Sequence, residues 1–396
     1  MNAVAASLAP RLPHVGEASG RTSPSAQAAT SPARVALLGT GTVGGAVLVR
    51  LAGWAGTSFA RSLSLVHVAN SRVAIADVEG LCPDQARVIL GAVPSPDVAI
   101  ALRDAPRVVR PVLPRPAQIE AVTDALGTHG ERIVIDATAS ELVAERHAHW
   151  LAQGIHVVTA CKLGQGTSLA RWHAIRAASA HGGAHYGDSA TVGAGLPLLR
   201  SIRELQAGGD RIHAIAGVLS GSLAWLFNHY DGLRPFSGFV REAREAGYTE
   251  PDPRDDLSGE DVRRKIVILA RAAGVELDAG DVEVDSLVPP ALVALAKGEV
   301  DAALPALDAP LRERYAAAWK SGEKLRFIAR LENGRAKVGL ESLPECHPLA
   351  GGAGTDNRVA IWSDRYRQQP LVIQGPGAGA EVTAAGLLDD VLRIVR

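Results

Sequence analysis

The chain has 396 residues, which is enough for two or three domains around a substantial core. It carries 41 lysine and arginine residues against 42 aspartate and glutamate residues, for a formal net charge of −1. This balance excludes the strongly basic field that a nucleic-acid partner or an anionic membrane would require. The sequence has no apolar run of about 18 residues, so no transmembrane helix is predicted.

The cysteines and the N-terminal segment indicate the setting of the chain. Cys82, Cys161 and Cys346 are scattered and odd in number, which favours a reducing, cytoplasmic location. Residues 1–30 are rich in Ala, Ser, Pro and Thr without periodicity, which predicts a flexible tail. This segment lacks the basic start and apolar core that are typical of a signal peptide.

A glycine turn near the N-terminus predicts a nucleotide site. An apolar run at 33–38 is typical of a buried parallel strand. It leads into G-x-G-x-x-G at Gly39, Gly41 and Gly44, and a helical run continues to about Leu51. The glycines allow the tight turn, the approach of a pyrophosphate and the packing of helix on strand. Because the motif lies between a strand and a helix N-terminus, we expect dinucleotide binding.

The second predicted strand, 63–69, bears on the choice of coenzyme. It ends in Asn70, Ser71 and Arg72. A site selective for NAD usually carries an acid here, whereas polar groups and a cation favour the 2′-phosphate of NADP. NAD stays open, because the spacing from the glycines exceeds the usual ~20 residues. The alternative for Arg72 is a solvated loop residue.

Two later strands bring side chains to the same edge of the predicted sheet. The segments 132–136 and 155–158 are apolar, and Thr138 and Lys162 follow them. In open α/β sheets, ligands bind outside the carboxyl ends of the strands. We therefore expect Thr138 and Lys162 where cofactor and substrate meet.

An acid-rich segment after the middle of the chain is the most informative. Pro251 and Pro253 cannot donate a backbone hydrogen bond and disfavour helix before them, which predicts a stiff loop. Ser258 as N-cap and Asp261 three residues later form an acidic variant of the capping box. We therefore predict a helix over 262–272.

Lys265 lies at the edge of the apolar face of this predicted helix, one turn after Asp261. Desolvation lowers the pKa of a lysine and nearby carboxylates raise it, so a half-buried lysine here can exchange a proton near neutral pH. The alternative is an ordinary surface pair, worth about a few tenths of a kcal/mol.

With these motifs in order, the chain resembles homoserine dehydrogenases from about Arg34 to Arg396. The similarity is greatest to the dehydrogenase portion of bifunctional aspartokinase–homoserine dehydrogenases, and we expect no kinase domain. The stretches that carry the resemblance are 69–72, 192–197, 217–223, 247–265 and 377–386.

The resemblance implies reversible NAD(P)H-dependent reduction of L-aspartate 4-semialdehyde to L-homoserine, in threonine, methionine and isoleucine synthesis. It implies that Lys265 donates the proton to the carbonyl oxygen and that Lys162 contacts both cofactor and substrate, with Asp261 beside the catalytic lysine. The implied substrate-binding residues are Tyr248, Glu250, Asp256, Gly221 and Ser222. The predicted cofactor contacts are Gly39, Gly41, Thr42, Val43, Gly44, Asn70, Arg72, Thr138, Lys162 and Gly379.

The sequence departs from the family pattern at a cation site. The family binds sodium through backbone carbonyls that match Val192, Ala194 and Leu196, together with an acid three positions before the valine. Here that position is Ser189, and the nearest acid is Asp188. Sodium is therefore only a weak expectation.

The predicted fold class is α/β, with a Rossmann-type dinucleotide-binding domain and an α+β catalytic and dimerisation domain. A glycine turn near 375–379 and a helix from about Glu381 suggest that the chain returns to the nucleotide domain. We expect 31–187 and 377–396 to form the first domain and 188–376 the second. The resemblance implies a homodimer, and we expect no threonine-sensing module after the last helix.

Two other functions compete with this interpretation. Cys161 stands where the family usually has Asn, and a thiolate beside Lys162 could serve as the nucleophile of a semialdehyde-oxidising dehydrogenase. The alternative for Cys161 is a small buried residue. A non-catalytic NADP-binding sensor is the second competitor, although the acids and lysines of the 247–265 segment argue against it.

Overall fold

The chain builds two β-sheets, each covered by helices. The structure, a computed structural model, describes residues 31–91 and 112–396. The predicted tail at 1–30 lies outside these residues. The segment Pro32–Arg396 folds as one unit.

The first sheet contains the nucleotide motif. Its strands are β1 (Ala33–Leu38), β2 (Leu63–Ala69), β3 (Val73–Ala76), β4 (Arg115–Pro116), β5 (Arg132–Asp136), β6 (His156–Thr159) and β7 (Tyr186–Gly187). Within the described residues their order is β4-β3-β2-β1-β5-β6-β7. Strands β2, β1, β5, β6 and β7 are parallel, while β3 and β4 form an antiparallel edge. The predicted strands 33–38, 63–69 and 132–136 are confirmed.

Helices cover both faces of the first sheet, as in a Rossmann-type fold. They are α1 (Thr42–Gly53), α2 (Ser58–Ser62), α3 (Pro83–Ile89), α4 (Ala121–Leu126), α5 (Glu141–Ala152) and α6 (Leu169–Gly182). On one face Val47 of α1 packs with Leu37 and Ile135. On the other, Trp150 of α5 packs with Val134. These two apolar layers confirm the predicted fold class for this half.

The second sheet is mixed. Its strands are β8 (Ile212–Val218), β9 (Glu283–Val284), β10 (Glu323–Glu332), β11 (Arg335–Pro344), β12 (Asp356–Ser363) and β13 (Leu371–Pro376). Within the described residues they lie in the order β13-β12-β8-β10-β11-β9. All neighbours are antiparallel except β9 and β11.

Helices pack on one face of this sheet around a large apolar core. They are α7 (Leu198–Ala207), α8 (Gly221–His229), α9 (Phe236–Glu245), α10 (Pro253–Leu257), α11 (Glu260–Ala272), α12 (Pro290–Val293), α13 (Val300–Ala303) and α14 (Asp308–Lys320). On α11, Val262, Ile266 and Leu269 are buried in this core with Phe327 of β10, as the helical spacing predicts.

The last helix, α15 (Ala380–Ile394), returns to the first sheet. Its apolar residues Leu387 and Val391 pack with Val47 and Leu48 of α1. The helix predicted from about Glu381 thus packs against the helix that follows the glycine turn. Among the described residues, none of the helices has both the length and the apolar content that crossing a bilayer requires.

The acid-rich segment differs from its prediction at two points. Residues Pro253–Leu257 form a short helix rather than a stiff loop, because Asp252 caps it and proline fits its first position. Ser258 ends this helix and is not the N-cap of α11. That cap is Gly259, whose φ of 79° no β-branched or bulky residue adopts readily. The Ser258 hydroxyl still accepts a hydrogen bond from the Glu260 amide at 3.3 Å.

Candidate active site

The glycine turn after β1 has the shape that a dinucleotide needs. Gly39 has φ 93°, and a Cβ there would lie 2.7 Å from the Ala137 carbonyl oxygen. A Cβ on Gly44 would lie 1.8 Å from the Gly39 carbonyl oxygen, so only glycine lets α1 pack this closely. A Cβ on Gly41 would meet nothing within 4 Å. The open space at Gly41, before the N-terminus of α1, fits a pyrophosphate.

Thr42 and Val43 open helix α1 directly after this turn. Their backbone amides belong to the first helical turn, where N–H groups lack intrahelical partners. The predicted contacts from the glycine turn therefore lie together at one helix end, which attracts anions.

Asn70 and Arg72 lie beyond the carboxyl end of β2. The Asn70 Oδ1 accepts hydrogen bonds from the amides of Arg72, at 2.9 Å, and Val73, at 2.8 Å. Asn70 therefore shapes the turn that presents Arg72. The Arg72 side chain is exposed and forms no ion pair within 31–91 and 112–396, which leaves its guanidinium available to a ligand.

Thr138 is fixed by a buried aspartate at the end of β5. Asp136 Oδ1 accepts hydrogen bonds from the Thr138 hydroxyl at 2.6 Å and from its amide at 2.9 Å. Asp136 Oδ2 lies 3.0 Å from His147 Nε2, and His147 Nδ1 lies 3.0 Å from the Tyr186 hydroxyl. Because a carboxylate only accepts, Nε2 donates to Asp136, and in a neutral imidazole Nδ1 then accepts from the Tyr186 hydroxyl. Burial raises the pKa of Tyr186, which keeps this hydroxyl protonated.

Lys162, Asp261 and Lys265 come together at the junction of the two halves. Asp261 Oδ2 lies 2.8 Å from Lys265 Nζ, and Oδ1 lies 3.5 Å from Lys162 Nζ. Lys265 is only 7% exposed and also donates to the Leu219 carbonyl oxygen at 2.7 Å. An ammonium group has three donors, so one is left after these two acceptors. The chain therefore holds a buried lysine with a donor to spare.

The environment of Lys265 sets its protonation. Burial lowers its pKa, the Asp261 charge opposes this, and the Lys162 charge lowers it further. For Asp261, burial alone would raise the pKa, but the two lysines hold it at about 2. The cluster thus combines a permanently charged carboxylate with a lysine whose proton is held less tightly than usual.

A second carboxylate lies beside this cluster. Asp256 Oδ1 accepts from the Ser222 hydroxyl at 2.7 Å, and Oδ2 accepts from the Glu250 amide at 2.8 Å. Burial raises the pKa of Asp256, against the effect of these hydrogen bonds. Gly221 and Ser222 begin α8, so the predicted substrate residues of two distant segments meet here.

Tyr248 and Glu250 lie at the exposed rim of this region. Tyr248 is exposed, and its ring packs against Trp225 of α8 with the ring centroids 5.6 Å apart. Glu250 is exposed on the same loop. Both residues are therefore open to a ligand that enters from solvent.

Asn357 connects the last glycine turn to Lys265. A Cβ on Gly377 would lie 2.0 Å from the Asn357 side chain, so the glycine backbone packs directly on it. The Asn357 amide donates to the Leu219 carbonyl oxygen at 3.3 Å, the same oxygen that accepts from Lys265. Gly379, with φ 127°, follows before α15. The turn that precedes α15 is thus joined to Lys265 through one carbonyl oxygen.

The residues present do not fit the sodium site that the resemblance implies. Asp188 is buried and accepts two hydrogen bonds from Arg203, at 2.6 and 2.7 Å. The Ser189 hydroxyl, at the position of the family's acid, donates to Asp390 at 2.9 Å. Asp390 in turn accepts from Arg393 at 2.5 Å. Both carboxylates are already neutralised by arginine.

One of the three backbone carbonyls that the resemblance assigns to sodium is already occupied by a hydrogen bond. The Leu196 carbonyl oxygen accepts from the Leu198 amide at 2.8 Å, while Val192 and Ala194 lie buried on the same segment. Across the described parts of the chain, no group of three or more His, Cys, Asp or Glu side chains could hold a metal ion.

Cys161 lies where packing, rather than chemistry, determines its role. It is buried, and its amide donates to the Thr159 hydroxyl at 2.8 Å. Burial, followed by the charge of Asp136, raises the pKa of the thiol to about 12. A thiol of this pKa is protonated at neutral pH and is a poor nucleophile. The structure therefore favours the packing role of Cys161 over the nucleophile.

The sequence motifs missed three buried residues: Asp136, Asn357 and Arg271. For Arg271 a signal existed, because it is a lone cation within the apolar run 266–273. Asp136 ends a predicted strand, with one partner, Thr138, two residues away. Its contacts with His147 and Thr159, like that of Asn357 with Leu219, join segments that no sequence motif links.

An open glycine turn at a helix N-terminus and a buried acid–lysine cluster are features of the nicotinamide-dinucleotide oxidoreductases. Two family models match it: one described as homoserine dehydrogenase, NAD binding domain, over residues 39–187, and one described as homoserine dehydrogenase, over 197–392. The chain belongs to the homoserine dehydrogenase family.

Known relatives agree with this assignment. A homoserine dehydrogenase of Emericella nidulans is 36% identical over 289 residues, which cover 70% of this chain and 78% of that protein. The bifunctional aspartokinase/homoserine dehydrogenase 2 of Zea mays is 44% identical over 266 residues, 66% of this chain. The match spans only 29% of that bifunctional protein. A Candida auris protein of unknown function has a crystal structure with TM-score 0.81 and 32% identity, covering 92% of this chain and 98% of its own.

Proposed function

We propose that this chain catalyses the reversible, NAD(P)-dependent reduction of L-aspartate 4-semialdehyde to L-homoserine. The observation that carries the proposal is the buried Lys265, held by Asp261 with one donor left free. In the sheet, β6, which precedes Lys162, lies two strands from β1. Strands are about 4.8 Å apart, so the carboxyl ends of β1 and β6 lie roughly 10 Å apart on the same edge of the sheet.

The protein's part in the reaction is proton delivery and charge stabilisation. The reduced dinucleotide, when bound, supplies the hydride. Lys265 donates its proton to the carbonyl oxygen as negative charge develops there, and Lys162 stabilises the same charge. In the oxidative direction neutral Lys265 accepts the hydroxyl proton. Asp261 stays ionised throughout and orients both lysines.

The substrate is a small zwitterion, so its ammonium group needs carboxylates. Asp256 and Glu250 supply them, and Ser222 fixes the Asp256 carboxylate. Gly221 and Tyr248 complete the pocket. These contacts favour an amino-acid aldehyde over a simple aldehyde, which would leave both acids unpaired.

We infer that NADP is the preferred coenzyme, because Arg72 follows β2 with its guanidinium exposed and no acid precedes it there. NAD is accommodated by the same glycine turn. We infer further that turnover needs no sodium, since Arg203 and Arg393 already neutralise Asp188 and Asp390.

The remaining proposals concern organisation. We propose that 31–187 and 377–396 form the dinucleotide-binding domain and that 188–376 form the catalytic and dimerisation domain of a homodimer. The free cysteines support a reducing, cytoplasmic location. The reaction would serve synthesis of threonine, methionine and isoleucine.

One assay tests the function. The purified protein is supplied with L-homoserine and either NADP or NAD, and formation of the reduced coenzyme is followed by its absorbance. We expect turnover with both and a higher kcat/KM with NADP. Absence of turnover with either coenzyme would instead support the non-catalytic sensor.

A further inference from the structure

Arg271, on the last turn of α11, is a buried cation that the charge of Asp278 influences without a salt bridge. It is 1% exposed and forms no ion pair within the described residues. The hydrogen bonds of its guanidinium go to backbone carbonyls: those of Gln165 at 2.6 Å, Thr167 at 2.9 Å, Leu277 at 3.0 Å and Ser168 at 3.5 Å. Burial lowers its pKa, which reports the cost of enclosing this charge.

Three of these carbonyls, those of Gln165, Thr167 and Ser168, belong to the loop that begins with Lys162. The Gly166 amide donates to the Lys162 carbonyl oxygen at 2.7 Å, which closes the loop on itself. Arg271 therefore holds the loop at Gln165 and Thr167. These residues flank Gly166, whose amide forms the hydrogen bond to the Lys162 carbonyl oxygen. The loop and helix α11 come from opposite halves of the molecule, about a hundred residues apart in sequence.

Gly166 gives independent support for a close fit between the loop and α11. A Cβ at this position would lie 2.8 Å from the Lys162 carbonyl oxygen and 3.1 Å from the Arg264 carbonyl oxygen of α11. It would also lie 3.2 Å from the Ile268 side chain. The loop backbone thus rests directly on the helix that carries Asp261 and Lys265.

We propose that Arg271 is a positioning residue that clasps the Lys162 loop to α11 and thereby keeps Lys162 at Asp261. The expected effect on turnover rests on the proposed function. The contact between Arg271 and the Lys162 loop does not depend on that function. Lys162, Asp261 and Lys265 then behave as one rigid group, even though they belong to two halves of the chain.

The chemistry of the side chain favours this role. A buried charge costs free energy that an apolar residue of similar volume avoids. Arginine offsets this cost because its planar fork donates to several acceptors at once, here in two separate segments. A lysine cannot reach both segments with one ammonium group. The guanidinium is therefore suited to joining two backbones rather than to filling space.

The first test is Arg271→Lys, with Arg263→Lys as matched control. Arg263 lies on the same helix and donates to the Ala279 carbonyl at 3.1 Å, but it does not contact the loop. Thermal unfolding first establishes that each variant is folded. In Arg271→Lys we expect kcat to fall by about 10- to 100-fold, as for a catalytic group displaced by roughly 1 Å. Affinity for the reduced coenzyme should stay within about twofold.

A second readout does not depend on turnover. Hydrogen–deuterium exchange at 162–168 should accelerate in Arg271→Lys and stay unchanged in Arg263→Lys. If the wild-type protein shows no turnover while exchange at 162–168 responds in this way, the proposed function fails and the clasp stands. If exchange does not respond, or if it responds while kcat is unchanged in an active enzyme, the positioning role is wrong.

The pH profile separates positioning from general destabilisation. Lys265 faces Asp261, Asp256 and Lys162, and the Lys162 charge lowers its pKa. Displacing Lys162 should raise that pKa and move the alkaline limb of the reductive rate to higher pH. A variant that is only less stable would keep the limb in place.

Gly166→Ala keeps the proposal testable should Arg271→Lys fail to fold. Its added Cβ lifts the loop from α11 without touching the guanidinium. We expect the same three signs: lower kcat, faster exchange at 162–168 and an alkaline limb at higher pH. An unchanged kcat and an unchanged limb in folded Gly166→Ala would overturn the proposal.

Discussion

Asp188 and Asp261 are both aspartates held by basic side chains, but the two pairs have different chemistry. Asp188 accepts two hydrogen bonds from Arg203, which satisfies both of its oxygens and fixes one geometry. Its charge raises the pKa of Arg203, so this guanidinium never releases a proton. Asp261 instead lies between two lysines, one buried and one partly exposed.

The two aspartates differ in whether their basic partner can release a proton. At Lys265, burial and one carboxylate act on the pKa in opposite directions, and one ammonium donor stays free. At Arg203 the carboxylate raises a pKa that is already high, so no proton is available for transfer. Asp188–Arg203 therefore holds the segment before α7 in place, whereas the contacts of Lys265 with Asp261 and the Leu219 carbonyl leave one of its N–H donors free for the proposed proton transfer.

The largest effect should come from removing that proton. Lys265→Met keeps an unbranched side chain of similar length in the buried site but cannot donate. We expect kcat to fall by about 10²–10⁴-fold, the usual worth of general acid–base help. Coenzyme affinity, measured by fluorescence titration, should change little. Lys320→Met, at the exposed end of α14, is the control, and equal losses in the two variants would contradict the role of Lys265.

Breaking the other pair should affect stability and not chemistry. Arg203→Met leaves the buried Asp188 carboxylate without its cation. Loss of one partner of a buried pair costs about 3–5 kcal/mol, and we expect about 2–3 here because the Arg203 side chain is 44% exposed. Urea unfolding measures the change. Arg200→Met, which breaks an exposed pair with Glu204 on the same helix, should change stability little.

The comparison also predicts a pH dependence. In the reductive direction Lys265 must be protonated, so the rate should fall about tenfold per pH unit above its pKa. Asp261→Asn removes the charge that raises this pKa, and the alkaline limb should then move to lower pH. Asp255→Asn changes an acid outside the cluster and serves as control. A limb that stays fixed in Asp261→Asn would show that another group titrates.

These predictions depend on features that the sequence reveals unequally. The glycine turn and the Asp261–Lys265 spacing are local, so the strand, the helix and the i,i+4 contact could all be predicted. The helix at Pro253–Leu257 is not predicted, because two prolines in three residues indicate a loop. Asp252 caps this helix and Gly259 begins the next one, and both roles depend on where the two helices meet. The strand end before Lys162 and the lone cation Arg271 in an apolar run are local signals, whereas Asn357 has none. The partners of all three residues lie about a hundred residues or more away in sequence, and no local pattern specifies those contacts.

A smaller effect concerns the coenzyme. Arg72→Ala removes an exposed cation beyond β2, and we expect NADPH to bind about five- to tenfold more weakly. NADH affinity should stay within about twofold, because NADH lacks the 2′-phosphate. Titration of each coenzyme into wild type, Arg72→Ala and the control Arg50→Ala makes the comparison. Equal weakening of both coenzymes would mean that Arg72 does not read the phosphate.

The smallest effect should follow from changing the salt. With Asp188 held by Arg203 and Asp390 by Arg393, neither carboxylate needs an added cation. Replacing sodium chloride by choline chloride at constant ionic strength should therefore change kcat by less than about twofold.

The Arg203→Met variant sharpens this test, because it frees the Asp188 carboxylate, which precedes the Val192–Leu196 carbonyls in the chain. If an unpaired Asp188 carboxylate is enough to bind sodium, sodium should stabilise Arg203→Met against urea more than choline does. The stability of the wild-type protein should be the same in both salts. A wild-type enzyme that loses activity in choline would show that the arginine pairs do not replace the ion.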